Sequence, residues 1–123
     1  MMEIVIKTRG SVILTDEMRT FADHKVRKLE KFISPGDTTA LADVELASVS
    51  KSRTGDLFRA EINLSFAGGF IRAEASRETL HAAIDKAVSE ARREMRVFRT
   101  KHRDLMRRGA AKVKKLFRRF QKE

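Results

Sequence analysis

An α+β two-layer sandwich of order β-α-β-β-β-α, a four-stranded sheet with two helices on one face, is what this sequence predicts. Three observations carry that prediction. Four short segments alternate apolar and polar residues, two longer ones repeat apolar residues at helical spacing, and each of the six has a single apolar face. A one-sided sheet and two one-sided helices bury that surface most economically with both helices on the sheet's apolar face. The 123 residues suffice for one such domain.

The elements follow in order. Ile4 and Ile6 alternate with Glu3 and Lys7 in a half-buried strand over 3–8. Thr15 and Asp16 offer N-cap oxygens, and Asp16 and Glu17 put negative charge in a first helical turn. Met18, Phe21, Ala22, Val26, Leu29 and Ile33 continue that helix until Pro35-Gly36 stops it. Val44 and Leu46 mark a second strand over roughly 42–50, and Lys51–Asp56 is a turn. In the third strand Phe58, Ala60, Ile62, Leu64 and Phe66 point inward, and Arg59, Glu61, Asn63 and Ser65 outward. Ala67-Gly68-Gly69 supplies the positive φ of a tight hairpin, and Phe70–Ala75 returns with Ile71, Ala73 and Ala75 inward. A long helix then starts near 76–78 with the stripe Leu80, Ile84, Ala87, Val88, Ala91, Met95 and Phe98. Gly109 is expected to break it. Beyond it Val113, Leu116, Phe117 and Phe120 repeat at helical spacing among lysines and arginines. The expected division is therefore a folded domain over 1–108 and a basic tail over 109–123, disordered or a short amphipathic helix. The order α-β-β-β-α within this plan is that of double-stranded-RNA-binding domains, with one extra leading strand.

Charge is the most informative part of the composition. The formal net is +10, and it is uneven: residues 1–77 hold 12 Lys and Arg against 11 Asp and Glu, while 78–123 hold 15 against 6. A nearly neutral body with a basic C-terminal third points to a polyanionic partner engaged by that third. The sequence has no cysteine, which excludes a disulfide framework and thiolate chemistry and fits the reducing cytoplasm. The first residues lack the basic and apolar regions of a signal peptide, and no apolar run approaches the ~20 residues that span a bilayer. His24, His81 and His102 lack metal-ligand spacing; His81 and His102 read as partly buried helix residues. With no phosphate loop and no nucleophile elbow, an enzyme, a cofactor, a metal site and a small-molecule substrate are not expected.

The candidate site lies on the last helix. At 100° per residue Arg92, Arg96, Arg99 and Arg103 fall within ~60° of one another and span ~16 Å. No Asp or Glu stands three or four residues from any of them, although a merely solvated helix face usually interleaves acids at that spacing. Stacked guanidinium groups repel unless an external anion offsets the repulsion, and phosphate matches their bidentate geometry. Lys86, Arg93 and Lys101 form a looser second row. On the first helix Lys25 sits inside the apolar arc between Phe21 and Leu29, and Lys28 just outside it. Lys25 either snorkels past the core or delivers its charge into the groove between the helices. The outward positions of the third strand hold no aromatic residue, and the chain has no Trp or Tyr, so recognition should run through phosphates and shape.

Three stretches resemble the ribosome hibernation promoting factor and ribosome-associated inhibitor family over residues 3–104. They are Leu14–Arg19 leading to Lys25–Phe32; Gly68–Ala75; and Ala82–Asp85 followed by Arg93 and Arg99-Thr100-Lys101. The resemblance implies a cytoplasmic factor that binds ribosomal RNA of the small ribosomal subunit, in the channel used by messenger and transfer RNA. It would block translation there and preserve idle ribosomes in stress and stationary phase. Lys25, Lys28, Arg93, Arg99 and Lys101 stand at positions like the family's RNA-contacting ones, whereas Val97 stands where a basic residue is common and His81 where an aromatic is frequent. The chain resembles a short form without a C-terminal dimerisation domain, and a monomer is expected when free. The alternative from another class is a free-standing double-stranded-RNA or nucleoid binding module. A third is a tail that docks on an anionic membrane surface, a partner not expected here.

Overall fold

The computed structural model describes residues 2–49 and 57–121, with only the backbone described at 113 and 115–121. The order is β1 (Glu3–Arg9), α1 (Asp16–Arg27), a 3-10 helix (Lys28–Phe32), β2 (Leu41–Ser48), β3 (Phe58–Phe66), β4 (Gly69–Arg77) and α2 (Leu80–Gln121). The sheet runs β1-β2-β3-β4, with β1 parallel to β2 and the other pairs antiparallel. Parallel neighbours require a crossover, and α1 provides it. The α+β class, the element order and the four-stranded sheet are those expected from the pattern. The Lys51–Asp56 turn and the side chains of Val113, Leu116, Phe117 and Phe120 lie outside the described residues.

Burial follows the alternation. Ala42, Val44 and Leu46 of β2, Ala60, Ile62 and Leu64 of β3, and Ile71 and Ala73 of β4 form the floor of the core. Leu80, Ala83, Ile84, Ala87, Val88, Ala91 and Met95 of α2 cover it, joined by Ala22, Val26 and Leu29. Burying each large aliphatic side chain contributes about 1.5–3 kcal/mol before ordering costs. Helix α2 packs on β3 and β4, while α1 packs on β1 and on the flank of α2.

Three boundaries differ from expectation. First, α1 gives way to a 3-10 turn at Lys28 rather than running to Pro35. Residues three apart eclipse in that geometry, which sets half-buried Phe32 in line with fully buried Leu29 and lets Ile33 leave in extended conformation. Second, Ser76 and Arg77 stay in the ladder opposite Arg59 and Phe58. Helix α2 therefore starts at Leu80, where Thr79 Oγ1 accepts from Ala82 N at 3.1 Å. Third, the break at Gly109 is absent: α2 runs unbroken through it for 42 residues, about 63 Å at ~1.5 Å per residue. An exposed glycine weakens a helix by only about 1 kcal/mol relative to alanine, too little to interrupt one seeded by a buried stripe.

Two glycines act differently. In the two-residue hairpin loop only Gly68 takes positive φ, at 90°. Gly69 is needed for space: a Cβ there would overlap the Phe98 ring and meet the Phe66 ring at 2.9 Å. Gly69→Ala should destabilise the domain by about 1–3 kcal/mol in urea unfolding, as overpacking does. Gly109→Ala, where a Cβ meets nothing, should leave the urea midpoint unchanged and raise helix content by circular dichroism.

Candidate nucleic-acid interface

The buried stripe fixes the rotation of α2, and with it the place of each cation. At 100° per residue, Arg92, Arg96, Arg99 and Arg103 follow the side of the stripe on which Asp85 meets α1. Arg92 is half-buried; Arg96, Arg99 and Arg103 are exposed. None of the four forms an ion pair among the described residues. At the near end Arg92 shares a cleft with Lys25 and Lys28 of α1 and the 3-10 turn. Two turns further along, the Arg99 guanidinium lies over the Phe32 ring, 5.9 Å from its centroid.

Lys25 resolves the two readings of its position. Its Nζ crosses from α1 to α2 and sits 3.1 Å from Asp85 Oδ1, with 28% of its side chain exposed, and it passes 5.5 Å from the Phe21 centroid. The lysine thus packs along an aromatic ring and also delivers charge into the groove. The structure does not bring the second row together in the same way. Glu90 holds Lys86 and Arg93, each at 3.2 Å, and Lys101 stands apart and exposed. That pairing was legible, since Glu90 is four residues from Lys86 and three from Arg93. Asp85, sixty positions from Lys25 in the chain, left no such signal.

Across the sheet and along α1, several cations are met by the protein's own acids. Across the outer sheet face Arg59 pairs with Glu61 at 2.7 Å and with Glu74, and Arg72 reaches Glu61 at 3.3 Å. A hydrogen bond from Asn63, reinforced by Arg72 and Arg59, holds the Glu61 carboxyl below the usual carboxylate range. Lys7 pairs with Asp43, Arg9 with Glu45, and Arg27 with Asp23 and Glu30. Glu45, Glu61 and Glu74 stand in register across β2, β3 and β4, each beside an arginine that offsets its charge.

His81 and His102 are more exposed than expected, each covered on one face only. His81 meets the Phe21 ring edge-on at 4.4 Å, and His102 stacks parallel to Phe98 at 6.1 Å. Among the described residues no group of His, Asp or Glu is placed to hold a metal, and no described helix is long and apolar enough to cross a membrane.

Fold and site together define a small α+β domain with a row of four arginines, unpaired among the described residues, along one flank of one helix. Residues 4–103 match the sequence model of the family described as sigma 54 modulation protein / S30EA ribosomal protein, and the chain belongs to that family. It is 30% identical over 101 residues to the ribosome hibernation promotion factor of Deinococcus radiodurans, an alignment covering 82% of this chain and 51% of that protein. The chain thus spans about half the length of that curated relative. The crystal structure of the Thermus thermophilus Protein Y N-terminal domain superposes with a TM-score of 0.65 at 29% identity, covering 79% of this chain and 99% of that one. A ribosomal subunit interface protein from Coxiella burnetii shares the fold, with a TM-score of 0.61 at 14% identity over 80% of this chain and 99% of that one.

One acid had no sequence signal at all. Asp37 is buried beside the hairpin, where its Oδ1 accepts from Thr39 N at 2.8 Å and Thr39 Oγ1 at 2.6 Å, and its Oδ2 from Ala67 N at 2.8 Å. The Thr39 hydroxyl, followed by the two backbone donors, holds its carboxyl below the ordinary value. A carboxyl depressed on folding adds stability above the unfolded value, about 3.9, and that stability is lost as pH falls through the folded value. An asparagine side chain cannot accept from both Thr39 and Ala67, so Asp37→Asn should melt below wild type at pH 7. The gap should close as melts are taken below about pH 4.

Proposed function

We propose that this chain is a non-enzymatic, cytoplasmic ribosome hibernation factor. It binds ribosomal RNA of the small subunit in the channel used by messenger and transfer RNA, and so keeps idle ribosomes from translating in stress and stationary phase. The observation that carries the reading is the row Arg92, Arg96, Arg99 and Arg103, four guanidinium groups aligned on one flank of α2 with no ion pair among the described residues. Lys25 and Lys28 extend it across the cleft. Guanidinium groups in line on a rigid helix suit a row of backbone phosphates and read little sequence. The partner is suggested by family membership and by the name of the Deinococcus relative. The free protein is a monomer in this reading, with the body ending near Arg108 and the basic segment beyond it tuning the outcome.

Sedimenting a cell lysate on a sucrose gradient and blotting each fraction tests the partner. The protein should travel with ribosomal fractions, whereas recovery with slow-sedimenting RNA or DNA would favour a free-standing nucleic-acid module. The logarithm of ribosome affinity should fall steeply with the logarithm of salt, by about 0.7–0.9 per phosphate neutralised. Arg96→Gln and Arg103→Gln should each reduce that slope by about one. Arg93→Gln should reduce it less, because Glu90 already meets that charge.

Deleting residues 110–123 removes six Lys and Arg. The truncated chain should keep its fold by circular dichroism and bind ribosomes more weakly without losing them, while the ratio of single to paired ribosomes changes.

A further inference from the structure

Between α1 and α2 lies a narrow cleft of about 150 Å³ lined by Lys25, Lys28, Asp85, Val88, Ser89 and Arg92. Packing leaves two of its features unexplained. Arg92 Nε is buried with no hydrogen-bond partner among the described residues, whereas nearly all buried donors have one. Lys25 Nζ, 3.1 Å from Asp85 Oδ1, is paired to the one acid among the residues lining the cleft. Three cations from three elements thus line a cleft that holds one carboxylate, leaving it doubly positive.

We propose that the cleft seats a single phosphate group of a nucleic-acid backbone, and that Asp85 is its internal competitor, holding Lys25 until a phosphate takes its place. The volume is well below the ~300–1,000 Å³ of ordinary small-molecule pockets, so a phosphate group enters while base and sugar stay outside. The Arg92 guanidinium and the Lys25 ammonium, which line the cleft from α2 and α1, supply charge-assisted hydrogen bonds, the arrangement that such an anion favours. Arg92 also heads the arginine row, so a phosphate here is the first of those running along α2. Binding is an exchange: Lys25 gives up Asp85, and the stranded carboxylate repels the incoming anion. Asp85 therefore lowers affinity and speeds release, which suits a factor that must leave when translation resumes. The proposal rests on the ribosomal-RNA reading for the source of the phosphate, and on the cleft alone for the site.

Titrating the full-length, nitrogen-15-labelled protein with inorganic phosphate, at ionic strength held constant with chloride, tests the seat. The Arg92 Nε–H and Ser89 amide signals should shift saturably, and Arg92→Gln should abolish the effect. Asp85→Asn should bind phosphate up to about fivefold tighter, the equivalent of one exposed ion pair, and Asp85→Ser should do the same because the lost charge is responsible. Unchanged affinity in both variants, or shifts confined to Lys86 and Arg93, would overturn the seat. Ribosome sedimentation of the same variants separates it from the parent reading. Salt-steep ribosome binding indifferent to both Asp85 variants would overturn the cleft and leave the partner standing. Phosphate binding that tightens in both, with no variant entering ribosomal fractions, would uphold the cleft and overturn the partner.

Discussion

The rotation of α2 about its own axis is the constraint on which the rest of the molecule depends. Ile84, Ala87, Val88, Ala91 and Met95 are all buried, and a turn of even one residue would expose part of that stripe and bury charge in its place. With the rotation fixed, helical geometry leaves no freedom in where Arg92, Arg96, Arg99 and Arg103 face. The core thus aims the arginines without touching most of them. It also seeds the helix, which continues through Gly109 to Gln121.

The distribution of acids completes that arrangement. Most of the described body's acids meet a local cation, across the sheet face, along α1, or at Glu90 on α2. Exposed pairs of this kind contribute ~0–1 kcal/mol each, so their consequence lies less in stability than in the field they leave behind. Glu45, Glu61 and Glu74, aligned across the strands, are each offset by a neighbouring arginine, whereas the arginines aligned on α2 keep their positive charge. A polyanion approaching such an uneven charge distribution is oriented before contact. Binding through the arginine flank also requires few intramolecular pairs to be broken, and the Lys25–Asp85 pair in the cleft is the exception.

Nearly all of the fold was legible in the sequence because its signals are local. Period-two alternation named the inward residues of β3 and β4, and helical periodicity named the stripe of α2, with the caps and hairpin glycines as punctuation. The arginine row was legible for the same reason, being a property of one helix. What escaped depends on elements distant in the chain. The Lys25–Asp85 bridge joins two helices, and Asp37 serves an N–H of the β3–β4 hairpin thirty residues away. The expectation of a break at Gly109 failed from the opposite error, a local propensity given more weight than a helix already nucleated by its buried half.

The change from α to 3-10 geometry at Lys28 connects backbone detail to two members of the arginine row, Arg92 and Arg99. In a continued α-helix, Phe32 would sit about 60° around the axis from Leu29. Eclipsed three-residue spacing instead sets Phe32 below Leu29 and Lys31 below Lys28. Leu29, fully buried, anchors the turn, so Lys28 faces the cleft beside Arg92 while Phe32 lies under Arg99. The arginine in the cleft and the one over the ring are seven residues apart, two turns of α2, and a single five-residue turn positions the neighbours of both. Pro35-Gly36 beyond it and Asp37, tied to the hairpin, keep the segment from extending as helix. Helix α2 supplies the charges in line, and the short turn opposite sets what stands beside them.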